Sequence, residues 1–221
     1  MSELKLSDLV ANRTMSPGMA ALLASAAEQR RSLLNVAIPR GAGKSTVMDA
    51  VLEHRAAGVP VYALGTRHGD SLGIPEAGAA PGFFSWSEIA KHPVTDSYLW
   101  GEPVRQMFEA ARTDGHAIAT ALHADGVGSA FAVIAENEIT DEQASLIDVV
   151  SYIRSIGPWD DPERRAIANM YEVDRVENGV PVARLIHHWI EESDTFEAIS
   201  EPTSVAPEAY ARHLERFEGA G

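Results

Sequence analysis

Apolar positions along the chain keep two rhythms, one helical and one of short, mostly apolar runs, and they alternate. Residues 3–31 read as two helices, the second opened by Ser16 as N-cap with Pro17 at the first helical position and Met19, Leu22, Leu23 and Ala26 on one face. Residues 33–38 form a mostly apolar segment interrupted by Asn35, the pattern of a buried strand. From Lys44 to about Ala56 the spacing is helical again, with Val47, Met48, Val51 and Leu52 apolar. Residues 59–64 predict a second strand, 65–82 a Gly- and Pro-rich surface loop, and 85–91 one or two helical turns. A third strand is expected at 97–100, ending at Gly101-Glu102, then a helix over 104–113 with Met107, Phe108 and Ala111 on one face. A fourth strand at 118–122 ends at His123 and leads to a helix over 129–136.

The last third changes character. Residues 147–153, 166–176 and 180–190 read as strands, and Asn178-Gly179 between the last two predicts a tight hairpin. A closing helix over 206–218 is polar enough to lie on the surface. Alternating strands and helices imply an α/β fold with a mainly parallel sheet and helices on both faces, followed by a β-rich segment that contains the hairpin. The expected division is a helical lead-in at 1–31, a core at 32–196 including the β-rich part, and a tail with its helix at 197–221.

Composition narrows the setting. A chain of 221 residues with 45% hydrophobic and 23% charged residues suits one globular α/β core. No apolar run has the length to cross a bilayer, and the first residues lack the basic start and apolar stretch of a signal peptide. The absence of cysteine excludes disulfides and thiolate metal sites. A cytoplasmic protein without direct membrane insertion is expected. The net charge of -14 repels nucleic acid, so neither DNA nor RNA is expected as the main partner.

The chemistry is concentrated at residues 38–46, Ile-Pro-Arg-Gly-Ala-Gly-Lys-Ser-Thr, set between an expected strand and an expected helix. A strand, a Gly-rich turn and a helix N-terminus together hold phosphate: Gly41 and Gly43 let backbone N–H groups converge, and the helix dipole adds positive potential. Pro39, Arg40, Gly41, Ala42, Gly43, Lys44, Ser45 and Thr46 are the expected nucleotide-binding residues, for ATP with Mg²⁺. Lys44 is expected on the β- and γ-phosphates and the Ser45 hydroxyl on the metal. Ile38 stands where the full G-x-x-x-x-G-K-[ST] signature has glycine. Glu102, straight after the strand at 97–100, is the expected carboxylate that holds Mg²⁺ through water or polarises the attacking water. Its bland alternative is a solvent-facing turn residue. His123, ending the next strand, is expected to contact or sense the γ-phosphate. Elsewhere, His187 and His188 fall on opposite faces of a strand and so are not one metal site. Trp86, Trp100, Trp159 and Trp189 read as core or interface, and Asp160-Asp161 and Glu191-Glu192 as solvated turns.

The ordered set resembles the hexameric ATPases of type II and type IV secretion systems and type IV pili, in particular the tight-adherence pilus branch. Asp8-Leu9-Val10 through Thr14-Met15-Ser16-Pro17 and Arg30-Arg31 resemble the approach to its nucleotide loop, and Pro39 to Thr46 the loop itself. Thr95-Asp96-Ser97-Tyr98-Leu99-Trp100-Gly101-Glu102 is similar to its Walker B, and Ala121-Leu122-His123-Ala124-Asp125 to its histidine box. Ile147-Asp148-Val149-Val150, Arg164-Arg165 and Tyr171-Glu172-Val173 resemble its C-terminal strands. The resemblance spans about residues 8–196. It implies a RecA-like phosphate-loop NTPase with a three-layer core, a homo-oligomeric, hexameric ring, and a membrane platform protein as partner.

The departures are specific. The family's acidic box, with a Glu needed for hydrolysis, falls here on Leu64-Gly65-Thr66-Arg67-His68-Gly69-Asp70, with Asp70 or Glu76 as stand-ins. Ala121 replaces a Thr of the histidine box, the stretch after Glu102 is short, and the family's N-terminal domain is absent from the sequence apart from the helical lead-in. Arg40, Arg67, Arg105, Arg164 and Arg165 are the candidates to reach across a subunit boundary. The leading expectation is an ATP-hydrolysing motor subunit of a secretion or type IV pilus assembly system. A nucleotide-binding scaffold that no longer hydrolyses is the alternative, and a phosphate-loop kinase, for which no Arg-rich lid is evident, a further one.

Overall fold

The computed structural model describes residues 4–92, 94–158 and 161–219; Trp159 and Asp160 lie outside them. In chain order the elements are α1 (Leu6–Ala11), α2 (Pro17–Glu28), β1 (Ser32–Val36), α3 (Lys44–Leu52), β2 (Val61–Ala63), β3 (Phe83–Ser85), β4 (Glu88–Ile89), β5 (Tyr98–Leu99), α4 (Glu102–Asp114) and β6 (Ala117–Leu122). Then follow α5 (Val127–Glu136), α6 (Asp141–Ala144), β7 (Ile147–Ile156), β8 (Arg164–Glu177), β9 (Val180–Ile190), β10 (Thr195–Ala198) and α7 (Pro207–Glu218). Among the described residues the strands form one sheet in the order β10-β9-β8-β7-β1-β6-β3-β2, with β4 set between β6 and β5. Pairing is parallel from β7 through β2 and antiparallel from β7 to β10. The fold is thus mixed α/β, its parallel half continued by antiparallel hairpins.

β1 is the axis. It pairs in parallel with β6 on one side, Leu33 opposite Ala119, and with β7 on the other, Leu33 opposite Val149. Its residues alternate between two cores: Leu33 packs with α1, α2, α3 and α7, whereas Leu34 and Val36 pack with α4, α5 and α6. Phe83 and Phe84 of β3 divide between the same two layers. Burial on both faces is why these strands read as mostly apolar runs.

Local chemistry sets the boundaries. The Ser16 hydroxyl accepts from Met19 N at 3.1 Å and caps α2 as expected. α3 ends at Leu52 rather than near Ala56, because Arg55 donates to the carbonyls of Leu52 at 2.8 Å and Val59 at 2.9 Å and turns the chain. The hairpin forms where Asn-Gly predicts it, with φ of 52° at Asn178 and 74° at Gly179. The Asp141 carboxylate accepts from both turn amides, at 2.6 and 2.9 Å, and so pins the hairpin to α6.

One expectation fails outright. Residues 85–91 are not helical: they complete β3 and form β4, because Ile89 has parallel partners in Leu99 and Leu122. Strand pairing here overrides the helical spacing of Trp86, Ile89 and Ala90. Residues 66–71 of the expected loop form a short 3-10 turn, broken at Gly69. Trp86 and Trp189 are buried and Trp100 half-buried, which matches their reading as core. No helix among the described residues is long and apolar enough to cross a membrane.

α7 is amphipathic, and its Ala209, His213 and Phe217 are buried against the α2 layer. Arg212 and His213 both reach the Glu28 carboxylate of α2, at 2.6 and 2.8 Å. His54, just beyond α3, meets the rings of His213 and Phe217 at 5.8 Å. Burial, helped by the nearby Arg216 and His213, pushes the His54 pKa down to about 4, and burial does the same to His187. Both rings are therefore neutral in the fold at pH values where the unfolded chain, near pH 6.5, already binds protons. Their contribution is complete above that pH and is lost as the pH falls through 4. Urea midpoints at pH 7.5, 6, 5 and 4 should fall steadily below about 6.5, and His187→Leu should flatten part of the slope; a midpoint constant from pH 7 to 4 would exclude this account.

Candidate active site

The turn after β1 is held from several directions. Gly41 and Gly43 have φ of 73° and 97°, left-handed values that cost an L-residue about 1–2 kcal/mol. Gly43 is also the N-cap of α3, so the first free amides of that helix point out of the turn. Asn35 of β1, 2% exposed, donates to the Lys44 carbonyl at 2.9 Å and fixes the helix to the strand. Arg165 of β8 crosses over from the other side and donates from Nε to the Gly41 carbonyl at 3.0 Å. Ile38 has no positive φ and its side chain is 56% exposed, so the position makes no demand for glycine.

Beneath the turn lies a buried charge cluster. Lys44 is 7% exposed and its Nζ stands 3.3 Å from Oε2 of Glu88, which is 3% exposed. The other oxygen of Glu88 is 2.8 Å from Nε2 of His123 and has no further hydrogen bond. Nδ1 of His123 lies 2.7 Å from the carbonyl of Ile38 and 3.2 Å from that of Ala37. Carbonyls only accept, so the contacts at Nδ1 call for a proton on that nitrogen. Lys44 and Glu88 are opposite charges at close range, and Arg40 adds a positive charge beside them. Burial first, and then the Arg40 charge, lower the pKa of Lys44, with Glu88 working in the opposite direction. In a chain of net charge -14 this is a local attractor for anions.

The cluster assembles because β1, β3 and β6 end side by side. Lys44 follows β1, Glu88 follows β3 and opens the short β4, and His123 follows β6. Such a crevice at the carboxyl ends of parallel strands is the usual ligand position in open α/β sheets. Pro39 leads into the turn; Arg40, Gly41, Ala42, Gly43, Lys44, Ser45 and Thr46 line a hollow of about 260 Å³ together with Glu88 and Tyr98. Two larger hollows open from its flanks. One, of about 410 Å³, lies between α1 and the start of β8 and is lined by Leu9, Asn12, Thr14, Val47 and Arg165. The other, of about 440 Å³, shares Arg40, Glu88 and Tyr98 with it and is also lined by His123, Ile89, Trp100 and Val133.

The structure does not bring Glu102 to the turn. It occupies the first turn of α4, pairs with Arg105 at 2.9 Å and accepts from Gln106 at 3.1 Å, and these bonds hold its carboxyl below the usual range. It lines a separate hollow with Asp70 and Gln106, in which no residue of the turn takes part. Glu76 is exposed in the loop after β2. The carboxylate that meets Lys44 is Glu88, which sequence reasoning missed. Its signal was an acidic residue two positions after Trp86, at the end of the aromatic stretch Phe83-Phe84-Ser85-Trp86, masked by the helical spacing assigned to 85–91.

His123 is where the strand ending placed it, and His187 and His188 point apart, His188 bonding Asn169 at 2.7 Å. Among the described residues no cluster of three or more His, Asp or Glu is arranged to hold a metal. For Mg²⁺ the turn therefore offers the Ser45 hydroxyl, which suits an ion that keeps several waters and binds mainly through phosphate oxygens. Of the candidate arginines, Arg67, Arg105 and Arg164 are engaged by Asp96, Glu102 and Asp194. Arg165 holds the turn of its own chain, and Arg40 makes no ion pair among the described residues.

No protein-family model and no curated protein matches the sequence. Among solved structures the chain is similar to the VirB11 ATPase from the Brucella suis type IV secretion system, crystallised in complex with sulphate, with a TM-score of 0.46 and 16% identity. The match covers 76% of this chain and 54% of that one, so the chain spans about half the length of that protein. A likeness this distant carries no functional argument, and the reading below rests on the site itself.

Because a bound polyanion needs the Lys44 ammonium, affinity for tripolyphosphate should fall as pH rises, with a break below the ordinary lysine value of 10.5. Calorimetry between pH 7.5 and 10 reads this directly. Lys44→Gln should bind weakly with no such break, and a wild-type affinity flat to pH 10 would exclude the role given to Lys44.

Proposed function

We propose that the chain binds a nucleoside triphosphate, with ATP and Mg²⁺ as the working pair, at the turn 39–46 and hydrolyses it. The observation that carries the reading is the buried Lys44–Glu88 pair, with the half-buried His123 beside it, beneath a turn whose two glycines are both left-handed. In this reading the amides of the turn and the α3 N-terminus take the β- and γ-phosphates, and Ser45 takes the metal. Mg²⁺ supplies charge neutralisation at the phosphates. The nucleoside lies in the hollow between α1 and β8, beside Arg165.

Lys44 leaves Glu88 for the phosphates. Oε2 of Glu88, freed from its ammonium partner, then accepts a proton from the attacking water. His123 spans Glu88 and the carbonyls of Ala37 and Ile38, so a shift of the turn on losing the γ-phosphate is felt at the same carboxylate. Glu88 thus takes the part that sequence reasoning gave to Glu102.

The larger role, as the nucleotide-driven subunit of a homo-oligomeric ring acting on a membrane platform protein of a secretion or pilus system, is supported by the order of motifs in the sequence. Its readout is sedimentation with and without nucleotide, where assembly into a ring is expected and a monomer in both conditions would count against it.

Phosphate release with Mg²⁺ and ATP should vanish in Lys44→Ala. Glu88→Gln should keep ATP binding and lose about 10²–10⁴ in turnover, the usual worth of a general base. Glu102→Gln should turn over like the wild type. The reverse pattern, with Glu88→Gln active and Glu102→Gln dead, would return the role to Glu102. ATP binding without turnover in the wild type would favour the scaffold reading, in which Glu88 stays locked between Lys44 and His123.

A further inference from the structure

The hollow on the far side of Glu88 has a composition that hydrolysis does not need. It measures about 440 Å³ and is walled by Ile89, Tyr98, Trp100 and Val133, with Glu88 and His123 at its inner end. Lys91 lies over the Trp100 ring at 4.9 Å and pairs with Glu136 at 2.8 Å, forming one side of the rim. The same Glu88, with Arg40 and Tyr98, also lines the hollow of the phosphate turn. Glu88, 3% exposed, therefore faces both hollows, with Arg40 and Tyr98 beside it on the boundary between them. Water needs only a carboxylate, whereas a chamber with aromatic and aliphatic walls, Glu88 and His123 at its inner end and Arg40, Lys91, His92 and Glu136 elsewhere in its lining orients an organic body that carries a polar group.

We propose that this chamber binds a small alcohol with an apolar body and presents its hydroxyl to the nucleotide, so that the chain transfers a phosphoryl group as well as releasing phosphate. The proposal rests on the reading that the turn holds ATP. The acceptor oxygen forms a bond to the γ-phosphorus, the bond from that phosphorus to the bridging oxygen of ADP breaks, and ADP departs with the electron pair. The acceptor proton passes to Glu88. The products are a phosphate monoester and ADP, and no oxidant or reductant takes part. The apolar walls keep competing water from the transferred group.

The test incubates the full chain with ATP, Mg²⁺ and either benzyl alcohol or 3-methylbutan-1-ol, and follows ³¹P resonances for the corresponding monoester beside inorganic phosphate. Ester is expected with the wild type. Val133→Trp fills the chamber without touching the phosphate turn, and should cut ester formation about tenfold or more while changing phosphate release by no more than about twofold. ATP binding to the variant, measured separately, confirms that it is folded. ATP binding and phosphate release without ester from either alcohol would overturn the proposal alone. If ATP fails to bind, the nucleotide reading falls and the proposal with it. Ester that forms equally well in Val133→Trp would also overturn it, since the reaction would then take place outside the chamber.

Discussion

A lysine ammonium carried out of water costs several kcal/mol unless opposite charge meets it at close range. The placing of Lys44 beneath the turn therefore obliges the fold to deliver Glu88, whose other oxygen lies 2.8 Å from the His123 ring. Three strands that are separate in sequence must end within a few ångströms of each other for this to happen. The parallel half of the sheet does so by setting β1 beside β6 and β6 beside β3. Neither Lys44 nor Glu88 is stable in this position without the other, and the register of these strands is the condition for both.

Much of this architecture was legible in the sequence, since it depends on short-range chemistry. The Ser16-Pro17 start, the mostly apolar β1, the Asn178-Gly179 turn and the amphipathic closing helix are decided by residues next to one another. The turn at 39–46 is equally local, and Ile38 shows why its missing glycine did no harm: the position has no left-handed conformation to satisfy. What could not be read was non-local. Ser85 to Lys91 carries helical spacing, and only its pairing with β5 and β6 makes it a strand. With that strand misassigned, its acidic first residue was not among the candidate carboxylates. Glu102 follows its strand just as closely, yet the chain turns at Gly101, φ 70°, and starts a helix whose own Arg105 and Gln106 claim the carboxylate. Sequence adjacency to a strand end did not distinguish the two; the direction of the next turn did.

The C-terminal strands are more than a covering for the parallel sheet. Glu172 of β8, 4% exposed, accepts from the amides of Thr203 and Ser204 and pairs with Arg184 of β9, so the chain leading to α7 is tied to the sheet by one buried carboxylate. α7 in turn packs over α2 and reaches His54 beyond the end of α3. The helix that leaves the glycine turn is therefore braced at its far end by the last helix of the chain.

Arg165 gives the antiparallel half a mechanical relation to the turn. It stands one residue into β8, a strand of 14 residues and so about 45 Å from end to end. Hydrogen bonds to β7 and β9 stiffen that strand along its length. At its near end the guanidinium grips the Gly41 carbonyl, and at its far end the chain reverses through Asn178-Gly179, where Val180 is 64% exposed. The glycine turn and the hairpin tip are the two ends of one beam, held at one end by Arg165 on the Gly41 carbonyl and at the other by Asp141 on the amides of Asn178 and Gly179.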